Sequence, residues 1–322
     1  MINMLYEHHF RAMNTGVGVW IWSTNPERLL MIRAGMRGAE DFFTSVEAEL
    51  SRFRSTSALS RLNRAAGRGP QVVSPMLWTV LRAALDAARE SGGIYDPTVL
   101  HSLERAGYDR SFEAVEATGD TETDSPPVRI FGSWRRIRPD DTAHSVDLPG
   151  DLAVDLGGIA KGWTVDHVAF ALAPLGPVLV DAGGDLRVVG TADGERWPIG
   201  VQDPFTPERD RAFVRLGRGA LATSSIGGRR WQRGDRMVHH MIDPRTGTSA
   251  DSNLHSVTVH ASHAMTADVA AKVVLVLGSE AGTAYLMQRG LSALLTATDG
   301  HEMVVGDFPH QEVVPHASFH CA

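Results

Sequence analysis

Asp155-Leu156-Gly157-Gly158-Ile159-Ala160-Lys161-Gly162 stands where a strand-like stretch gives way to a helix-like one. Three glycines in eight residues let backbone amides approach a bulky anion, and the start of the helix that follows favours negative charge. Lys161 adds a compact positive charge suited to phosphate. The spacing is neither that of a Walker loop, G-x-x-x-x-G-K-[ST], nor that of the dinucleotide fingerprint. Alone, a glycine-rich turn before a helix is more often a plain connection.

Four later segments read in the same way. Asp181-Ala182-Gly183-Gly184-Asp185 follows the apolar Val178-Leu179-Val180 and precedes another strand. Gly-Gly suits a hairpin turn, and it also suits a backbone that closes on a ligand. Ala222-Thr223-Ser224-Ser225, followed by Arg229, Arg230 and Trp231, offers hydroxyls to a phosphate or a ring edge, or is a surface turn. In His239-His240-Met241-Ile242-Asp243-Pro244-Arg245-Thr246-Gly247 a strand would place His240 and Ile242 on one face and His239 and Met241 on the other. A His–Asp pair there offers a general base and the group that orients it. Finally, Thr266-Ala267-Asp268-Val269-Ala270-Ala271-Lys272 opens a helix that Thr266 would cap. Asp268 and Lys272, four apart, share a face, either as a surface ion pair or as part of a metal or phosphate site.

Around these segments the chain alternates short strands with single helices. A Val-, Ile- and Trp-rich run makes 13–24 a strand. Leu30, Ala34, Phe42, Phe43, Val46 and Leu50 mark an amphipathic helix over 27–52, and a second covers 74–91 behind the Ser74-Pro75 start. Strands are expected near 128–131, 146–148, 178–181, 186–190, 198–202, 212–216, 238–242 and 255–260, and helices at 160–173, 265–277 and 279–289. Strands that adjoin without an intervening helix favour antiparallel pairing, so the fold class is α+β rather than a doubly wound parallel sheet.

The whole chain has 322 residues, 43% of them hydrophobic and 21% charged, enough apolar surface for a sizeable core. A net charge of −7 argues against nucleic acid or an anionic membrane as partner. Of the 31 basic residues only Lys161 and Lys272 are lysine. The single cysteine, Cys321, allows no internal disulfide. MINMLYEHHF has no signal-peptide pattern and no run approaches the ~20 apolar residues of a membrane span, so a cytoplasmic location without membrane insertion is expected. The acidic, Pro-ended stretch 115–127 reads as a mobile loop and 311–322 as a disordered tail, leaving one domain over 1–310.

In order and spacing, these segments resemble the FAD:protein FMN transferases, the ApbE family. Glu49-Leu50-Ser51-Arg52-Phe53 with Ser57-Ala58-Leu59-Ser60-Arg61-Leu62-Asn63 is similar to that family's N-terminal signature, and Ser91-Gly92-Gly93-Ile94-Tyr95-Asp96-Pro97-Thr98-Val99 to its "S-x-G-x-F-D-P-T-V" segment. The likeness runs from about Met13 to Gly278. It implies two α+β subdomains around an FAD cleft, with Mg2+ on the pyrophosphate. A Thr or Ser hydroxyl of an acceptor protein attacks the FMN-side phosphorus and AMP leaves. It further implies that Met13, Tyr95 and Ser225 line the flavin or adenine pocket and that Asp96 and Asp185 stand at the ligand. Gly157, Gly158, Gly183 and Gly184 would admit the ligand and Asp155 would buttress their loop. Lys161 would meet the phosphates, Asp268 and the Ala160 carbonyl would hold the metal, and His240 would take the acceptor's proton with Asp243 as alternative or partner.

The chain departs from the family pattern at Lys272, where A-D-x-x-x-T supplies a second oxygen ligand; at Arg54, where Asn is frequent; and at Asn14, where Gly is frequent. An ammonium has no lone pair to offer a metal. Lys272 therefore turns away and leaves a weakened metal site, replaces the ion on the pyrophosphate, or marks a protein that binds FAD without transfer. Hydrolysis of FAD to FMN and AMP is a third reading of the same pocket.

Overall fold

Met13 and Asn14 sit at φ 51° and 61°, the left-handed region, and turn the chain in two residues between strands β1 (Met4–Ala12) and β2 (Thr15–Ser23). Positive φ at both central positions is what a tight hairpin between right-twisted strands requires. The pairing runs without a slip from Met4↔Ser23 to Ala12↔Thr15. The strand expected at 13–24 is β2; β1 carries no apolar run to announce it, and its alternation of half-buried and exposed residues is that of an edge strand. The computed structural model describes residues 4–112, 130–233, 236–311 and 319–320; the stretch 115–127 and most of 311–322 fall outside them.

The central sheet continues with β3 (Val178–Ala182), β4 (Asp185–Val189), β5 (Arg218–Ser225), β6 (Leu254–Ala261), β7 (Ser292–Ala297) and β8 (Glu302–Val305). Its eight strands stand in chain order and are antiparallel throughout. Between the edge strands β1 and β8 both faces are covered, which is why the inner strands read as nearly continuous apolar runs. Alternate residues serve opposite layers: Val17, Val19, Ile21, Val178 and Val180 pack under helices, while Trp20, Leu179, Leu186 and Val188 pack against a smaller sheet. That smaller sheet pairs 197–202 with 210–216. Residues 310–311 lie beside 213–214, and 319–320 run parallel to 199–200.

The helices are α1 (Leu29–Leu50), α2 (Ala58–Arg64), α3 (Pro75–Glu90), α4 (Leu100–Arg105), α5 (Ala160–Leu172), α6 (Ala264–Leu277) and α7 (Ser279–Gln288). Ser74 caps α3 through its Oγ, which accepts from Leu77 N at 3.3 Å, with Pro75 in the first turn. In α1 the buried stripe is Ile32, Met36, Ala39, Phe43, Val46 and Leu50; Leu30 is 78% exposed and Ala34 is exposed, so the expected apolar face is rotated at its N-terminal end. Helix α6 begins two residues before Thr266, and its cap comes from elsewhere in the chain. Asp166, on α5, accepts from Ala264 N at 2.9 Å and Met265 N at 3.0 Å, satisfying two free amides at the α6 start. The strand expected at 238–242 is split into 236–239 and 242–243, with His240 and Met241 between. Ile130 and Phe131 of the expected strand 128–131 are not extended into any sheet. Among the described residues no helix is long and apolar enough to cross a membrane.

Candidate active site

A cleft of about 540 Å³ opens where the Met13 turn, the end of α1, the segment after α3, the glycine loop, the end of β5, the His240 break and the first turns of α6 converge. That volume is within the range of small-molecule sites. Met13, Tyr95, Asp96, Asp155, Gly157, Gly158, Ala160, Lys161, Gly183, Ser225, His240, Asp268 and Lys272 all line it. Gly184, Asp185 and Asp243 are not among its lining residues. Gly183 and Gly184 form the two-residue turn of the β3–β4 hairpin at φ 59° and 89°, as the hairpin reading expects, and Gly183 borders the cleft.

The glycine loop is held from both sides. Asp155 N donates to Pro97 O at 2.8 Å, and Asp155 Oδ1 accepts from Gly157 N at 2.9 Å. Asn63 pairs with Val154 in both directions, accepting from its N at 2.8 Å and donating to its O at 2.9 Å, which ties the α2 signature to the loop. None of the loop's glycines adopts a positive φ. Gly158 lies against Tyr95 and the stem of Lys272, where a Cβ would be 3.1 Å and 3.4 Å from carbon atoms of those side chains. Gly162 serves a different need: its missing Cβ lets α5 cross the start of α6 at close range, with Met265 Cα only 2.7 Å from where a Cβ would stand.

Each of the cleft's two lysines is held in an ion pair. Lys161 Nζ donates to Asp185 Oδ2 at 2.5 Å and to Ala182 O at 3.3 Å. Burial would lower Lys161, but the carboxylates of Asp185 and Asp268 outweigh it and hold the ammonium above its ordinary range. Asp185 is raised to about 6, by burial first and the nearby Asp268 charge second. The second pair is Lys272 Nζ with Asp268 Oδ1. Asp268 is buried and Lys272 is mostly so, unlike a surface ion pair.

This donor set disagrees with a divalent cation. Asp268 Oδ1 is taken by an ammonium, and the Ala160 carbonyl accepts from Thr164 Oγ1 at 2.6 Å. Asp268 Oδ2 has no hydrogen-bond partner, but an ion seated there would share the carboxylate with Lys272. Like charges 4 Å apart near a protein surface repel by roughly 4 kcal/mol per unit pair. Among the described residues no group of three or more His, Cys, Asp or Glu side chains is placed to hold a metal ion.

His240 does not pair with Asp243. Its Nδ1 is 3.3 Å from Arg229 O, and since a carbonyl only accepts, Nδ1 carries the proton and Nε2 keeps its lone pair. Burial first, then the Arg229 charge, lower the imidazole to about 3, so it is neutral at physiological pH. Asp243 is instead gripped by Arg245, whose Nε and Nη2 reach its two oxygens at 2.9 and 2.8 Å, closing the turn. Asp96 Oδ1 accepts from Thr98 N at 2.9 Å and from Thr98 Oγ1 at 2.6 Å; burial raises its carboxyl to about 6. The Tyr95 hydroxyl is buried without a partner, and burial together with Asp155, Asp268 and Asp96 pushes it well up, so it stays a neutral donor.

Three contributors were missed in the sequence. Arg52 is buried, with its guanidinium 4.1 Å from the Phe53 ring centre and 4.5 Å from that of Tyr108, and its Nη2 has no partner. Its place in the N-terminal signature was the available signal. Tyr108 had none, since it enters the cleft through a tertiary contact. Glu47 links the Met13 turn to Arg54, one of the departures from the family pattern: Oε2 accepts from Met13 N at 2.7 Å, and Oε1 accepts from Arg54 Nη2 at 2.8 Å.

The sequence profile of the ApbE family matches residues 13–295. The FAD:protein FMN transferase of Treponema pallidum is 31% identical over 283 residues, covering 81% of this chain and 77% of its own. That of Vibrio cholerae serotype O1 is 32% identical over 243 residues, covering 74% and 72%. Among solved structures, the ApbE protein from Thermotoga maritima superposes with a TM-score of 0.80 at 25% identity, over 94% of this chain and 97% of that one. The flavin transferase ApbE from Vibrio cholerae gives 0.76 at 26% identity, over 95% and 99%. With most of its length matched in sequence and in fold, this chain belongs to the ApbE family.

Proposed function

We propose that the protein is an FAD:protein FMN transferase, with FAD in the cleft and a Thr or Ser hydroxyl of an acceptor protein as the second substrate. The observation that carries this reading is the convergence of Lys161, Lys272 and a neutral His240 on one cleft beside the glycine loop. Displacement at a pyrophosphate needs positioning and charge neutralisation more than covalent help. In the reaction the acceptor Oγ forms a bond to the FMN-side phosphorus, the bond from that phosphorus to the bridging oxygen breaks, and AMP leaves with that oxygen. The acceptor's proton passes to His240 Nε2. An anionic ligand beside Arg229 and Lys272 offsets two of the charges that depress the imidazole and makes it a better base. Gly157, Gly158, Gly183 and Gly184 admit the ligand; Tyr95, Met13 and Ser225 border its rings; Asp243 acts through the turn after His240.

Incubating the protein with FAD and an acceptor bearing a Thr/Ser flavinylation motif should give a covalently fluorescent acceptor band and one AMP per flavin transferred. Bound FAD that survives intact would instead favour a carrier, the reading that the Lys272–Asp268 pair also suits. FMN and AMP without an acceptor would mark a pyrophosphatase.

A further inference from the structure

We infer that the ammonium of Lys272 takes the place of a divalent cation at the FAD pyrophosphate, so that this chain binds and cleaves FAD without metal; the inference rests on FAD being the ligand of the cleft. Three features lead to it. Lys272 lies one helical turn after Asp268 on α6, and the two are ion-paired at the cleft, with Asp268 buried and the lysine 20% exposed. The lysine stem is braced against the glycine loop, with Cδ and Cε both 3.4 Å from the place a Gly158 Cβ would occupy, so the ammonium is held where the loop is open to an anion. An ammonium has three donors; one is on Asp268 Oδ1, a second makes a long contact of 3.5 Å to Asp268 O, and the third remains for a phosphate oxygen. Lys161, already bound to Asp185 and Ala182, supplies the second fixed charge. A compact ammonium suits this place as a point charge, where the wide arginine fork used at 29 of the 31 basic positions does not.

The test compares wild type with Lys272→Thr, which restores an oxygen, and Lys272→Met, which keeps the bulk without charge. FAD affinity, by flavin fluorescence, and AMP release are measured after chelation and again with millimolar Mg2+. Wild type should change less than about twofold between the two conditions, while Lys272→Thr should bind FAD at least roughly tenfold more weakly without metal and recover with it. Lys272→Met should be weak after chelation. A wild type whose FAD binding collapses on chelation and returns with Mg2+ would overturn the inference, and that comparison stands even where a variant fails to fold. AMP release without transfer would count against the transferase reading alone; no AMP release in either condition would also overturn metal-free cleavage, while the affinity comparison still decides whether the lysine replaces the ion in binding; absence of FAD binding in both conditions would sink the two together.

Discussion

Gly162→Ala tests whether the crossing of α5 on α6 sets the spacing of the cleft. The added Cβ would stand 2.7 Å from Met265 Cα and 2.8 Å from Ala264 C and O. These are backbone atoms, so no side-chain rotation relieves the contact. Restoring an ordinary 3.4 Å separation requires the helices to part by about 0.7 Å. Overpacking of this kind costs about 1–3 kcal/mol, and the better helix propensity of alanine offsets about 1 kcal/mol of it. The expected loss of stability is therefore small, at about 0–2 kcal/mol. The functional loss should be larger. Lys161 is carried by α5, Asp268 and Lys272 by α6, and a displacement approaching 1 Å in a reacting constellation costs about 100-fold in rate. AMP release from FAD by chromatography, alongside thermal melting, separates the two effects. Gly38→Ala, on the exposed face of α1, is the control, because there a Cβ meets nothing within 4 Å. A Gly162→Ala protein with wild-type turnover, or with a rate lowered only in proportion to the fraction unfolded, would refute the spacing argument.

His240→Gln should lower transfer about 100- to 10,000-fold with little change in FAD affinity, measured as fluorescent acceptor formed per minute; an equal loss of affinity would mean that the imidazole binds rather than moves a proton. The same variant changes the acid response. His240 is depressed to about 3 when folded, so below its unfolded value near 6.5 the unfolded chain binds more protons, and its contribution to stability, present at neutral pH, is about 2 kcal/mol smaller at pH 5. Asp96 and Asp185, raised to about 6, act in the opposite direction and gain stability as pH falls from neutral toward their unfolded values. Denaturant unfolding at pH 7 and 5 should thus show His240→Gln losing less on acidification than wild type; parallel losses would contradict the burial of that ring. Asn14→Gly, at φ 61°, should stabilise by about 0.5–1 kcal/mol, visible as a raised denaturation midpoint, and a lowered midpoint would show that the Asn14 side chain does more than tolerate the turn.

Much of this protein is written in local pattern. Apolar runs located β2, β3, β4 and β6, though not β5, the Ser74-Pro75 start located α3, and Gly183-Gly184 located a hairpin, because each is set by neighbours along the chain. The ion pair of Asp268 with Lys272 was visible as well, since four residues on a helix bring side chains together. What lay beyond reach depends on segments far apart in sequence. Asp166 caps α6 across 98 residues of chain, displacing the cap that Thr266 seemed to offer. His240 takes its proton arrangement from Arg229 and not from the nearer Asp243, which Arg245 already occupies. Gly162, which reads as part of an anion loop, is small because another helix crosses it. The sequence by itself determined the longer helices, most of the central strands and which residues could carry charge to a phosphate. Only the tertiary structure decided which of those groups are buried and which partners neutralise them, because burial and pairing are properties of surfaces that the folded chain alone brings together.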